Sequence, residues 1–252
     1  MIVLIGALIV SFVPSFALYF LFKQWKEEKE YKSLCKKTLV KGLLCVFPVV
    51  ALSALFSLCS LLLKSDRIPL FIKTFYYTFI VLSFSEELAK WLSLKSFLKK
   101  NPYSFHDILA FGTIIGLFFG ISEDFLYAFN TNAVQIIVRG LCAGHGVYAF
   151  IASYYYAKAL KEKKKGYAIF GFVLSWLLHG AYDFGLNSEM YERYEMVGMI
   201  SLLIAIFEFI MVIYIFIFVI KAKKKEELNE PLLIVSQESK EDHFLEKGDS
   251  AD

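Results

Sequence analysis

Two glutamates stand side by side in "SFSEELAKWL", residues 83 to 92, and a lysine follows within a turn. Glu86 and Lys90 are four residues apart with the glutamate first, the better order for a helical ion pair, and Glu87 lies three before the same lysine. One lysine cannot neutralise two carboxylates. In a low dielectric the adjacent pair repels and loses solvation, which favours uptake of a proton by one of them, as a general acid or base must do. Spacing alone also allows a plainer reading, in which the trio lies near the end of a membrane span and snorkels to the interface.

Three later stretches carry similar chemistry. In "FGTIIGLFFGISEDFLYAF", Gly112, Gly116 and Gly120 form two overlapping GxxxG steps, a surface that lets a neighbouring helix approach closely. At about 100° per residue, Glu123 falls on that glycine face with Tyr127 a turn beyond, while Asp124 turns aside toward a pairing or boundary role. "VRGLCAGHGVYAFIASYYYAKAL" sets Arg139 ahead of His145, with Ala149 and Ala152 on the histidine's face. "SWLLHGAYDF" places His179 and Asp183 four apart, so that the aspartate can hold the imidazole. A single membrane histidine is more often a packing residue; two at similar depth beside inward glutamates read as functional. Arg139, nearer the outer surface, reads as an ion-pair partner, and Glu208, isolated in "FEF", as a packing polar group.

These residues sit in a chain built for lipid. Of 252 residues, 58% are hydrophobic and 20% charged, with a mean hydropathy of +0.56, which excludes an ordinary soluble domain. A hydrocarbon core about 30 Å thick needs about 20 apolar residues per helix. That ruler predicts an all-α polytopic membrane helix bundle of about seven transmembrane helices, at 2–22, 42–63, 69–94, 107–129, 134–157, 167–186 and 197–220. An unpaired charge at mid-bilayer costs about 2.5–3.5 kcal/mol, so each ionisable residue in these spans calls for a partner, a wet cavity or a task. A rise of about 1.5 Å per residue puts His145 at mid-span, Glu123 about 8 Å outward, and Glu86 and Glu87 about 7–8 Å toward the cytosol. Tilt has to close that spread for the groups to meet.

Lysines cluster in every second loop, at 23–41, 95–106, 158–166 and 221–225, which predicts an N-terminus outside and a C-terminus in the cytosol. The same clustering makes the net charge of +3 a matter of orientation, and no nucleic-acid partner is expected. The first span lacks a basic n-region and an A-x-A-like site and reads as a retained helix. The segment 23–41 reads either as an amphipathic helix on the anionic inner leaflet or as a solvated lysine-rich loop. Residues 1–225 form one expected membrane domain, with a disordered acidic cytosolic tail over 226–252. The four cysteines show no CxxC pair and read as small buried hydrophobes.

Taken in order, the four polar segments resemble the PrsW family of intramembrane proteases, related to the CAAX prenyl endopeptidases and bacteriocin-immunity proteins. The family's EExxK matches Glu86, Glu87 and Lys90; its glycine-rich helix ending in glutamate matches Gly112 to Glu123 and Tyr127. Its helix with arginine then histidine matches Arg139 and His145, and its H-G-x-Y-N segment matches His179, Gly180 and Tyr182, so the motif core spans 80–186. Asp124 and Asp183 stand where members usually carry asparagine; aspartate keeps the acceptor and loses the amide donor.

The resemblance implies an enzyme of the bacterial cell membrane that hydrolyses a peptide bond in a membrane-anchored protein substrate, such as an anti-sigma factor, by a glutamate-activated water. Glu86 or Glu87 would be the base with Lys90 setting its charge, His145 and His179 would hold the water and stabilise the oxyanion, and Glu123 would assist. Asp183, Arg139 and Tyr127 would support them. The cofactor stays open: none, or a divalent metal such as zinc, with His145, His179 and Glu123 as candidate ligands. The absence of HExxH and of a Ser-His-Asp or Cys-His set in the sequence agrees with an activated water as nucleophile. A proton- or cation-coupled transporter, and an inactive scaffold of the same fold, are the alternatives.

Overall fold

A computed structural model describes residues 2–60, 67–99, 103–128, 133–187, 190 and 193–226. Every element in it is helical: α1 (Ile2–Lys23), α2 (Lys29–Leu44), α3 (Val46–Ser60), α4 (Leu70–Phe75) running into a π-helix (Tyr76–Phe84) and α5 (Ser85–Leu98), then α6 (Phe105–Tyr127), α7 (Ala133–Cys142), α8 (Gly144–Glu162), α9 (Lys165–Leu186) and α10 (Glu195–Glu226). The expected disordered tail, residues 226–252, lies outside the described residues save for Glu226, which ends α10, and the end of the second expected span, 61–63, lies outside them too.

Among the described residues, six helical stretches are long and apolar enough to cross a membrane, against the seven expected. The missing one is the run over 69–94. It is helical, but Lys73, Glu86, Glu87 and Lys90 make it too charged for a lipid-facing span, and it packs instead against α3, α6, α8 and α9. The lysine-rich segment before α3 also differs from a plain loop. Tyr31, Cys35, Thr38 and Gly42 recur at helical spacing along one buried stripe of α2, and Gly42 brings that stripe against α6, where a Cβ would lie 2.7 Å from the Ile115 carbonyl oxygen. Pro48 cannot donate to the Leu44 carbonyl, which accounts for the interruption at Cys45 between α2 and α3.

The bundle is organised around α6. A capping box fixes its start: Ser104 Oγ accepts from the Asp107 amide at 3.1 Å and the Asp107 carboxylate accepts from the Ser104 amide at 3.0 Å. From Asp107 to Phe119 every residue is buried. The glycine face meets α8 as the sequence predicts. A Cβ on Gly116 would lie 2.3 Å from the His145 carbonyl oxygen and 2.4 Å from Ala149 Cβ, and one on Gly120 would touch the His145 ring at 3.1 Å.

Two irregularities shape the site. The fifth expected span, 134–157, is broken at Ala143, whose φ of 42° is left-handed, a conformation that costs an ordinary residue roughly 1–2 kcal/mol. His145 therefore opens the first turn of α8 and does not sit within a continuous helix. The sequence gives no clear sign of a broken span, since glycines on both sides of residue 143 read equally well as a packing face. The other irregularity is the π-helix directly before Glu86. Its widened turns leave carbonyls that neighbouring side chains take up: Trp176 Nε1 donates to Phe79 O at 2.6 Å and Ser53 Oγ to Val81 O at 3.0 Å.

Candidate active site

The π-helix delivers Glu86, Glu87 and Lys90 into the bundle, and all three are buried. Lys90 Nζ donates to Glu87 Oε1 at 2.5 Å, and the same oxygen lies 2.9 Å from His179 Nδ1. Glu87 is thus committed twice. Glu86 is not: its Oε2 is buried without a hydrogen-bond partner, 3.8 Å from His145 Nδ1 and 3.7 Å from His179 Nε2. The two imidazoles lie edge to face with centroids 5.0 Å apart.

Each histidine is held from behind by a carboxylate. Lys90 Nζ approaches His145 Nδ1 at 3.2 Å; an ammonium only donates, so the ring proton of His145 belongs on Nε2, which is hydrogen-bonded to Glu123 Oε2. His179 Nδ1 faces Glu87, leaving its Nε2 toward Asp183 Oδ2 at 3.3 Å and toward Glu86. Behind Glu123, Arg139 from α7 forks, Nη2 to Glu123 Oε2 at 2.8 Å and Nε to Asp124 Oδ1 at 3.1 Å. Its guanidinium lies 5.0 Å from the centroid of the Tyr127 ring. The groups that the straight-span estimate spread over many ångströms therefore meet, because the break at Ala143 moves His145 to a helix start beside Gly120.

Two contacts were beyond sequence reasoning. Tyr148 stacks on His179 with centroids 5.0 Å apart and planes 22° from parallel; its place three residues after His145 was the available signal. Ser83 Oγ lies 3.1 Å from Asp183 Oδ2 and 2.6 Å from the Thr78 carbonyl, so one hydroxyl proton serves two acceptors.

The donor set suits a divalent ion. Glu86, His145 and His179 each offer a ligand atom, all within 4.8 Å of one another. Glu123, a candidate ligand from the sequence, lies instead on the far nitrogen of His145. Five carboxylates (Glu86, Glu87, Glu123, Asp124, Asp183) face two permanent cations, Lys90 and Arg139, a shortage of positive charge that a bound cation would relieve. Beside them is a cavity of about 30 Å³, room for about two waters, walled by Gly120, His145, Tyr148, His179 and Asp183 and, from α1, by Ser11.

A family model described as PrsW family intramembrane metalloprotease matches residues 30–220, which takes in every ionisable group of this pocket though not Ser11. The chain belongs to the PrsW family. It is a peptidase and an integral protein of a bacterial membrane, consistent with its six apolar helices. Relatives named "Protease PrsW" include one from Shouchella clausii, 25% identical over 81% of this chain and 93% of its own length. Another, from Halalkalibacterium halodurans, is 29% identical over 58% of this chain and 67% of its own. A third, from Geobacillus kaustophilus, is 25% identical over 73% and 80%. No solved structure matches the chain at a significant level.

The fork of Arg139 makes a prediction for this PrsW-family pocket. Arg139→Gln leaves Glu123 and Asp124 buried without their cation and loosens the grip on His145, so cleavage should fall about 10–100-fold. Arg139→Lys should fall between the two, because an ammonium cannot fork to both carboxylates. Initial rates on a membrane-tethered substrate check both.

Proposed function

We propose that the chain is an endopeptidase that cuts a membrane-anchored protein by an activated water, at the point where Glu86, His145 and His179 converge. The observation that carries this reading is the buried, unpartnered Glu86 Oε2 between two imidazoles that themselves line a cavity able to admit water. Glu86 takes the proton of the attacking water. Glu87 is already held by Lys90 and His179, and acts by fixing His179. Glu123 and Arg139 fix His145 in the same way. His179 Nε2, the ring nitrogen free to donate, then orients the substrate carbonyl and steadies the charge that develops on its oxygen, while the unprotonated His145 Nδ1 is an acceptor.

Alternatively, Glu86, His145 and His179 would hold a divalent ion such as zinc, with Glu86 then a ligand in place of the base. When bound, such an ion polarises the carbonyl and makes water a stronger nucleophile at neutral pH. Anti-sigma factors, single-span proteins whose cleavage starts a stress response, are the substrate class this reading favours. With 69–94 crossing inside the bundle as a seventh, protein-covered span, basic loops on the cytosolic side would orient the helices with the N-terminus outside.

The test is cleavage of co-expressed single-span proteins by the detergent-purified chain, with chelator, then with zinc restored. Loss of cleavage with chelator and its return with zinc assigns the ion to the pocket. Cleavage indifferent to chelator leaves Glu86 acting on water alone. Proton-driven flux in proteoliposomes with no cleavage of any single-span protein would reject the protease reading in favour of a transporter.

A further inference from the structure

The last helix carries one acidic residue deep within its apolar stretch. Glu208 stands near the middle of Met196–Lys223, is 1% exposed, and has no part in the chemistry above. Its Oε1 accepts a hydrogen bond from the Tyr148 hydroxyl. Space for it is made by Gly144, where a Cβ would lie 2.8 Å from Glu208 Oε1 and 2.9 Å from Cδ. The helix is fastened twice in the two turns before that contact. Cys142 Sγ lies 3.5 Å from the Ala205 carbonyl oxygen, and Ser201 Oγ donates to the Tyr182 carbonyl at 2.9 Å.

Tyr148 links this carboxylate to the pocket. Its ring stacks on His179, Lys90 Nζ lies 6.0 Å from its centroid, and its backbone carbonyl accepts from Ser175 Oγ at 2.8 Å. Glu208, Tyr148 and His179 all border the same cavity. His179 is gripped by its edge, through Glu87 at Nδ1 and Asp183 at Nε2, contacts in the plane of the ring that leave it free to tilt about the line joining the two nitrogens. A stacked neighbour removes the tilt only if that neighbour is itself fixed. A carboxylate at this depth costs about 2.5–3.5 kcal/mol if charged and unpaired, so a bland packing role would be served better by an apolar side chain.

We infer that Glu208 is a positioning residue for peptide hydrolysis: it pins the Tyr148 hydroxyl, and the pinned ring sets the plane of His179. This inference rests on the functional reading above, in which His179 orients the substrate carbonyl. Glutamine keeps an acceptor oxygen for the hydroxyl, whereas leucine and phenylalanine each delete one end of the contact.

The full-length chain in detergent, acting on a cleavable single-span protein, provides the test. E208L and Y148F should each lower kcat about tenfold with KM within about twofold. The double variant should be no slower than the worse single, because both remove one contact. E208Q should recover to within about threefold of wild type, the mark of a hydrogen bond as opposed to a charge. Losses that multiply in the double variant, a Y148F enzyme at wild-type speed, or E208Q as slow as E208L would each overturn the inference. If E208L fails to accumulate, Y148F measured with and without E208Q decides the matter: a slow Y148F that E208Q slows no further supports the inference, and a further drop overturns it. The functional reading fails separately, through a fully active E86Q enzyme, whatever the Glu208 variants do.

Discussion

Glu86→Gln should abolish cleavage, by roughly a thousandfold or more, while the protein accumulates and melts at least as well as wild type. A thousandfold corresponds to about 4 kcal/mol of transition-state stabilisation, within reach for loss of a general base or of a ligand to a catalytic ion. Stability should not suffer, because Glu86 Oε2 has no hydrogen-bond partner in the fold and its carboxylate is buried at a net loss. Removing that charge relieves the loss, the usual trade between a strained site and the scaffold that carries it. Glu87→Gln supplies the contrast. Its carboxylate neutralises Lys90 at 2.5 Å and holds His179 at 2.9 Å, and breaking a buried pair on one side typically costs about 3–5 kcal/mol. That variant should lose both activity and thermal stability. Cleavage assays paired with melting curves in one detergent separate the two glutamates; an active Glu86→Gln enzyme would remove Glu86 from the chemistry.

The second large effect is steric. Gly116→Val should give a protein that accumulates poorly and cleaves nothing. A Cβ there meets the His145 backbone oxygen at 2.3 Å and Ala149 Cβ at 2.4 Å, and backbone cannot step aside as a flexible side-chain end can. Overpacking of this kind costs about 1–3 kcal/mol and more where backbone must move. The activity loss should exceed what the stability loss explains, because pushing α8 away carries His145 off Glu123 and Glu86. Gly116→Ala should show the same pattern in milder form. Melting temperature and residual cleavage at equal protein level measure the two components; a valine variant as stable and active as wild type would mean that α6 and α8 do not touch there.

Much of this pocket could be read from the chain itself. Glu86, Glu87 and Lys90 stood out because charge is expensive in lipid, and Gly112, Gly116 and Gly120 announced the face that meets α8. What stayed hidden was where helices depart from straight rods. Ala143 has no side-chain signature of a left-handed residue, so the sequence places His145 mid-span, whereas it opens α8. The aromatic run over 76–84 gives equally little notice that its turns widen, although that widening is where the chain leads into Glu86. Partners distant in sequence were hidden for a simpler reason: nothing in "FEF" names Tyr148, sixty residues earlier, as the group that Glu208 meets. The segment before α3 was undecided because seven lysines masked the four-residue stripe it buries.

Asp124 and Asp183, where members of the family usually carry an amide, each face a hydrogen donor suited to an acceptor-only side chain: the Arg139 Nε–H in one case and the Ser83 hydroxyl in the other. Each contact uses an acceptor oxygen that asparagine would also supply, so the aspartate adds charge and gives up only the amide donor. A chimaera that transplants α6 or α9 into another member would therefore have to keep an arginine and a hydroxyl opposite these two positions, since each contact is made between helices and not within one.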